Sequence, residues 1–192
     1  MHLCLRLCLP LCLRMGTHRS RDIRIDSTIR PPIAMAFQIG PHIAQRLRLS
    51  MTGEMWHGSA IAELLPHFTA TQARQHPIAG AHSVWELVLH MTAWADIVAQ
   101  RLDGDTQGYP APDVDWPPVP AAATAQAWAR AKTRLFAAYE TLAARVESLP
   151  EERFAKTVDG QDYTTAVMLD GVVEHAAYHG GQMAMLWRAL ST

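Results

Sequence analysis

Apolar positions fall into helical register along most of the chain. In SAIAELLPHF, Ile61, Leu64, Leu65 and Phe68 sit at i, i+3, i+4 and i+7, the spacing of one buried helix face. The pattern predicts a first bundle helix over 58–70, with PHIAQRLRLSM upstream as a shorter amphipathic piece. After the break HPIAGAH, Ser83 followed by Glu86 reads as a capping box, in which each side chain satisfies the other residue's free backbone amide. A second helix is expected from there to about Leu102. Residues 103–120 carry Pro110, Pro112, Pro117, Pro118 and Pro120, which exclude a helix of useful length. These 18 residues are more than a turn between antiparallel neighbours requires, so the helices on either side can run parallel, joined by a crossover. Residues 121–148 are alanine-rich, with Trp128, Leu135, Leu142 and Leu149 recurring every seven positions, and Pro150 closes that helix. A last helix is expected from Thr164 or Thr165 to about Leu190. No alternating β pattern competes, so the expected fold is all-α, a four-helix bundle.

Two of these helices place histidine where leucine would ordinarily pack. Met168, Val172, His175, His179, Gln182 and Leu186 are spaced 4, 3, 4, 3, 4, and Leu87, His90, Trp94 and Ile97 are spaced 3, 4, 3; both spacings describe an inward seam. Residues i and i+4 stand one turn apart on one face. His175 and His179 can therefore present two imidazoles to one ion while His90 supplies a third from a facing helix. Three neutral nitrogen ligands leave a fourth position open for water or substrate, as in catalytic zinc sites. Nickel and iron also accept imidazole. The alternative is that two histidines merely share a hydrogen bond with a buried partner, but three buried imidazoles without a common partner would each carry a desolvation cost. Gln182 is placed to hydrogen-bond a ligand imidazole or a bound water, with capping of a neighbouring backbone group as the alternative. Glu86 is accounted for by its cap, Glu174 points about a quarter turn away from His175, and Trp94 and Tyr178 read as core or pocket wall. Of the other histidines, His2, His18, His42, His67, His76 and His82 read as surface or loop, and His57 in MWHGSA is the one carried as a further site candidate.

Composition narrows the function classes. The chain has 192 residues and a formal net charge of -1, one domain in length with no strong overall field, which argues against a nucleic-acid binder. No apolar run reaches the roughly 18 residues of a membrane helix. Cys4, Cys8 and Cys12 all lie in the first dozen residues, so the body has no disulfide framework, which fits a reducing, cytoplasmic setting. Charge is uneven: residues 1–30 hold six arginines against Asp22 and Asp26, a local net of +4 that leaves -5 for the remainder. The Leu/Cys/Arg pattern of MHLCLRLCLPLCLR fits a secretory signal poorly, and Pro10 interrupts an amphipathic organellar leader. The three cysteines, at i, i+4 and i+8, could bind a soft metal. The simpler reading is an extension over 1–34, disordered or non-native, with Met35 or Met51 as alternative starts and a bundle domain over 35–192.

Taken together, AHSVWELVLHMTAW and YTTAVMLDGVVEHAAYHGGQMAMLW resemble the DinB superfamily, the damage-inducible family of small four-helix metalloproteins, distinct from the similarly named DNA polymerase. MWHGSAIAELL and PIAGAHSVWEL add to the resemblance, which covers about residues 40–190. It implies an up-down-down-up bundle with a long crossover between helices 2 and 3, and a three-histidine metal site at His90, His175 and His179. It also implies a metal-dependent hydrolase, or a thiol S-transferase with a low-molecular-weight thiol as co-substrate.

The activity itself does not follow from a fold. The enzyme expected is one that activates water or a thiol, through a divalent ion with zinc ahead of nickel or iron, for attack on a small electrophile. The competing reading is a non-enzymatic metal-binding stress or interaction module. The alanines around Trp128 also predict a second apolar face that a homodimer would cover.

Overall fold

The computed structural model describes residues 37–56 and 58–191. The extension expected over 1–34, with its three cysteines, and the candidate His57 lie outside the described residues. Four long helices form the body: α1 (Ile39–Thr52), α4 (Val84–Leu102), α6 (Ala125–Glu147) and α8 (Thr165–Leu190). Between them lie four single turns: α2 (Ile61–Leu64), α3 (Ala70–Ala73), α5 (Pro112–Asp115) and α7 (Glu151–Phe154). Among the described residues there is no β-strand, only the isolated bridges Met55 to Gly58 and Thr157 to Thr164. None of these helices is long and apolar enough to cross a membrane.

The first bundle helix is α1, upstream of the one expected over 58–70. Pro41 falls in its first turn, where the missing N–H has no intrahelical acceptor to lose. Glu151 caps this helix from a distance, accepting a hydrogen bond from the Ile39 amide at 2.9 Å. The 58–70 segment is broken instead into α2, a 3-10 turn over Leu65–His67, and α3. Pro66 removes a donor and its ring crowds the preceding turn. Thr69 then restarts the chain with its own capping box to Gln72. Ile61, Leu64, Leu65 and Phe68 are nevertheless all buried, so the apolar spacing located the buried face while proline decided the helix.

The other three long helices start where their caps lie. Ser83 accepts from the Glu86 amide and Glu86 accepts from the Ser83 amide at 2.6 Å. Thr124 caps α6 and Thr164 caps α8. Trp128, Leu135 and Leu142 are core residues on α6, and Leu149 packs against that core just beyond it. On α4 the buried seam passes through Val98 and not the expected Ile97. A straight helix drifts from a strict 3.5-residue repeat, and three turns from Leu87 that drift moves the core position by one.

Helix directions follow from which ends meet. Trp85 packs on Trp128, with ring centroids 5.1 Å apart, and Arg145 pairs with Asp103, so α4 and α6 meet start to start and end to end and are parallel. A Cβ on Gly40, in the first turn of α1, would lie 2.9 Å from the Val146 carbonyl in the last turn of α6, so α1 and α6 are antiparallel. Arg101 near the end of α4 binds Tyr163 just before α8, so these two are antiparallel as well. Each of α1 and α4 packs against both α6 and α8. The course is up-down-down-up, and the connector between α4 and α6 must travel back along the length of α4. Its path is pinned at Gly160, whose φ of +73° places the turn before α8 so close to the connector that a Cβ would lie 2.6 Å from the Thr106 carbonyl.

Candidate metal centre

His90 on α4 and His179 on α8 are only 5% and 4% exposed, while His175, one turn before His179, is half-buried. Their Nε2 atoms converge. His175 Nε2 lies 3.0 Å from that of His90 and 2.8 Å from that of His179. One ring nitrogen from each histidine falls within 4.8 Å of the other two.

The opposite ring nitrogens explain the orientation. His90 Nδ1 donates to the Asp115 carbonyl at 2.7 Å. His179 Nδ1 donates to Gln182 Oε1 at 2.6 Å. Each bond commits the ring hydrogen to Nδ1 and leaves a lone pair on Nε2, the arrangement that orients metal-ligating histidines. Trp116 fixes the plane of the His90 ring: its indole is stacked between His90 (3.8 Å between centroids) and His82 (3.5 Å). Asp115 is held in turn, accepting from Trp94 Nε1 at 2.7 Å and from the Tyr109 hydroxyl at 3.0 Å.

Burial and mutual repulsion keep all three rings neutral. Loss of hydration, followed by the proximity of His179 and His90, pushes His175 down to about 3. The same loss pushes His179 down to about 4 against the opposing pull of Gln182. His90 is also lowered, burial outweighing its bond to Asp115. Asp115 Oδ1 stands 3.2 Å from His90 Nδ1, but with the ring neutral this is no ion pair, and the carbonyl is the acceptor that positions it.

A shared hydrogen bond does not satisfy this cluster. With His90 and His179 committed at Nδ1, both Nε2 atoms only accept, and His175 Nε2 carries one hydrogen at most. One lone pair therefore faces another without a proton between them. A cation resolves this, and the spacing suits one: ligand nitrogens about 2.0 to 2.1 Å from a tetrahedral ion stand about 3.3 Å apart. His90, His175 and His179 fit a divalent metal held on three nitrogens.

A cavity of about 380 Å³ opens onto the cluster, walled by Trp94, Val98, Met168 and Val172, with His90 and His175 at one part of its lining. No carboxylate lines it. Of the remaining candidates, all but Tyr178 fall where the spacing put them; Tyr178, expected as core or pocket wall, is 64% exposed, because one residue before His179 it is turned about 100° from the inward seam. Gln182 touches His179, Glu86 is occupied by its cap and by His76 at 2.8 Å, and Glu174 is exposed. Trp94 lines the cavity and Tyr178 lies outside it on the surface.

Sequence reasoning missed Asp115, Trp116, Tyr109 and Arg101. The first three sit in the proline-rich connector, where an acid and two aromatics were available as a signal because an extended linker has no need of either. Arg101 had a sharper one: it continues the seam of His90, Trp94 and Ile97 by four residues.

Asp115→Ala removes the acceptor for Trp94 and Tyr109 and loosens the carbonyl that holds His90. Zinc affinity measured by competition with a chromogenic chelator should fall about 10- to 100-fold, the usual cost of losing such support; an unchanged affinity would remove Asp115 from the site. A pH effect follows from the depressed histidines. Their unfolded value is 6.5 and their folded values are about 3 and 4, so below 6.5 the unfolded chain takes up protons that the folded one refuses. Stability of the metal-free protein is thus fully present above pH 6.5 and declines as pH falls toward 4. Urea midpoints at pH 7 and pH 5 should differ more for the wild type than for a His175→Ala/His179→Ala double variant, and equal differences would contradict the assigned burial cost.

A family model described as the DinB superfamily matches residues 56–183. That span takes in His90, His175, His179, Asp115 and Gln182, and leaves α1 outside it. Comparison with curated proteins returned no match, and neither did comparison with solved structures. With the match running over well more than half of the chain and the helices forming the up-down-down-up bundle, the chain belongs to the DinB superfamily.

Proposed function

We propose that the chain is a metal-dependent enzyme that directs a small nucleophile, water or a low-molecular-weight thiol, at an electrophilic small molecule. The observation that supports this reading is the set of three convergent ring nitrogens on His90, His175 and His179, of which His90 and His175 line a cavity of small-molecule size. A divalent ion held there, zinc ahead of nickel or iron, would supply Lewis acidity that lowers the pKa of the nucleophile.

The chain's own residues set the rest. Trp94, Val98, Met168 and Val172 provide apolar walls that hold the electrophile and exclude bulk water. The cavity lining offers no carboxylate to take a proton. That favours the thiol over water, because a thiol ionises near pH 8.5 in solution and needs less help from neighbouring side chains. In such a transfer the thiol loses its proton to solvent and its sulfur forms a bond to the electrophilic carbon. The displaced electron pair leaves with the departing group or, in an epoxide or an activated alkene, moves to the ring oxygen or the α-carbon, which takes a proton from solvent.

His179→Ala should bind less than a tenth of the zinc held by the wild type, read by metal analysis of the purified proteins. Metal-loaded wild type should consume electrophiles such as epoxides, alkyl halides or activated alkenes when a small thiol is present, and the variant should not. Equal metal content in the two proteins would sink the site. Full metal content with no turnover, with or without thiols, would favour the metal-binding stress or interaction module.

A cytoplasmic homodimer belongs to the same reading. Its surface is better supplied by α8 than by the alanine-rich start of α6, where exposed Ala121, Ala122, Ala125 and Ala129 offer little area. On α8, Val167, Tyr178 and Met185 are 59%, 64% and 60% exposed and fall on one face, with exposed Gly171 and Gly181 between them. Sedimentation velocity should give a dimer for the wild type and a monomer for Tyr178→Asp/Met185→Asp. A wild-type monomer at every concentration would refute the association.

A further inference from the structure

We infer that the cavity binds an anionic small molecule, a carboxylate or a group of similar charge and size, through Arg101. The inference extends the proposed function by naming the substrate's charge.

Arg101 is 6% exposed, deeper than its position in the last turn of α4 requires. It lines the same cavity as His90 and His175. A cation taken out of water this far ordinarily has an anion beside it. Four other arginines have one: Arg46 pairs with Asp170, Arg48 with Glu140 and Glu147, Arg134 with Asp96 and Arg145 with Asp103. Among the described residues Arg101 has none. Its Nη1 donates to the Tyr163 hydroxyl at 2.7 Å and its Nη2 to the Gly108 carbonyl at 3.0 Å, both neutral acceptors, and its buried Nε has no partner. Two bonds fix the plane of the guanidinium and leave one N–H on each Nη uncommitted, donors that a carboxylate can accept from.

The location is equally specific. Both the cation and a histidine of the cluster lie near the Trp94 indole, the guanidinium carbon 5.7 Å from its ring centroid and the His175 ring 6.2 Å away. A ligand lying along that indole places its charge on Arg101 and its other end at the histidine cluster. Val98, Met168 and Val172 in the same lining are apolar and shield one side of the ion pair from water, which strengthens it relative to one on the open surface. No carboxylate lines the cavity, and both oxygens of Asp115 are taken up by hydrogen bonds from the lining residues Trp94 and Tyr109.

The test is calorimetric titration of chelator-treated protein with benzoate and phenylacetate, each set against its neutral amide. Using metal-free protein keeps the carboxylate from reporting on the histidines. The wild type should bind at least one carboxylate about tenfold or more tightly than its amide, the value expected for hydrogen bonds to a charged group. Arg101→Gln should abolish that preference, and Arg101→Lys should retain part of it. His179→Ala, which tests the metal site, should retain it in full, so failure of the metal reading and failure of this one are separately visible. Equal binding of acid and amide by the wild type, or binding of neither, overturns the inference. So does a preference that survives in Arg101→Gln. Should that variant not fold, Tyr163→Phe, which frees one guanidinium donor without removing the charge, must still prefer the acid, and loss of the preference there would count against Arg101 as its source.

Discussion

Three neutral imidazoles whose lone pairs face one another inside a helical bundle are the constraint on which the rest of the structure turns. Left in water each ring would be hydrated and free to protonate. Inside the bundle each must be fixed in one tautomer, and the fixing groups must come from outside the ligand set. Gln182 does this locally for His179, from the next turn of the same helix. For His90 the acceptor is the carbonyl of Asp115, 25 residues away in the connector.

That remote acceptor is a consequence of topology. Because α4 and α6 are parallel, the chain leaving the end of α4 has to return to the level at which α4 began. On the way it passes alongside His90. The crossover delivers Asp115 to the Nδ1 side of the ring and Trp116 to its face, and the Asp115 carboxylate is held by Trp94 and Tyr109. An antiparallel pair joined by a short turn would have no segment there. The same return path brings Gly108 to Arg101, so one crossover organises both ends of the cavity.

The buried imidazoles and charged groups gather around this cavity, whereas the other buried polar residues, Ser50, Ser83, Thr92 and Thr165, are hydroxyls bonded to backbone close by in sequence. Ile43, Leu47, Leu87, Leu135, Leu142, Leu169 and Met183 carry the packing, and the capping boxes at Ser83 and Thr69 hold the helix starts without entering the site. His90, His179, Arg101 and Asp115 are each under a tenth exposed, and in a molecule that gains stability from apolar burial such groups persist where binding or chemistry needs them.

Local sequence was sufficient for whatever depends on neighbours within a turn or two. The starts of α4 and α8, the end of α6 shortly before Pro150 and the pairing of His175 with His179 follow from capping chemistry, proline sterics and the 3.6-residue repeat, all short-range effects. The inward direction of His90 was readable for the same reason. The length and proline content of residues 103–120 even gave the crossover. The same logic misplaced the first helix, because Ile61, Leu64, Leu65 and Phe68 show where apolar side chains go but not whether Pro66 lets the backbone stay helical. Only the tertiary structure decided which nitrogen of His90 faces inward, since that rests on Asp115 and its holders, residues brought together by the path of the connector. Arg101 belongs to the same class: its charge was visible in the sequence, but whether a carboxylate stands beside it is a long-range fact, settled when four helices close around a cavity that supplies none.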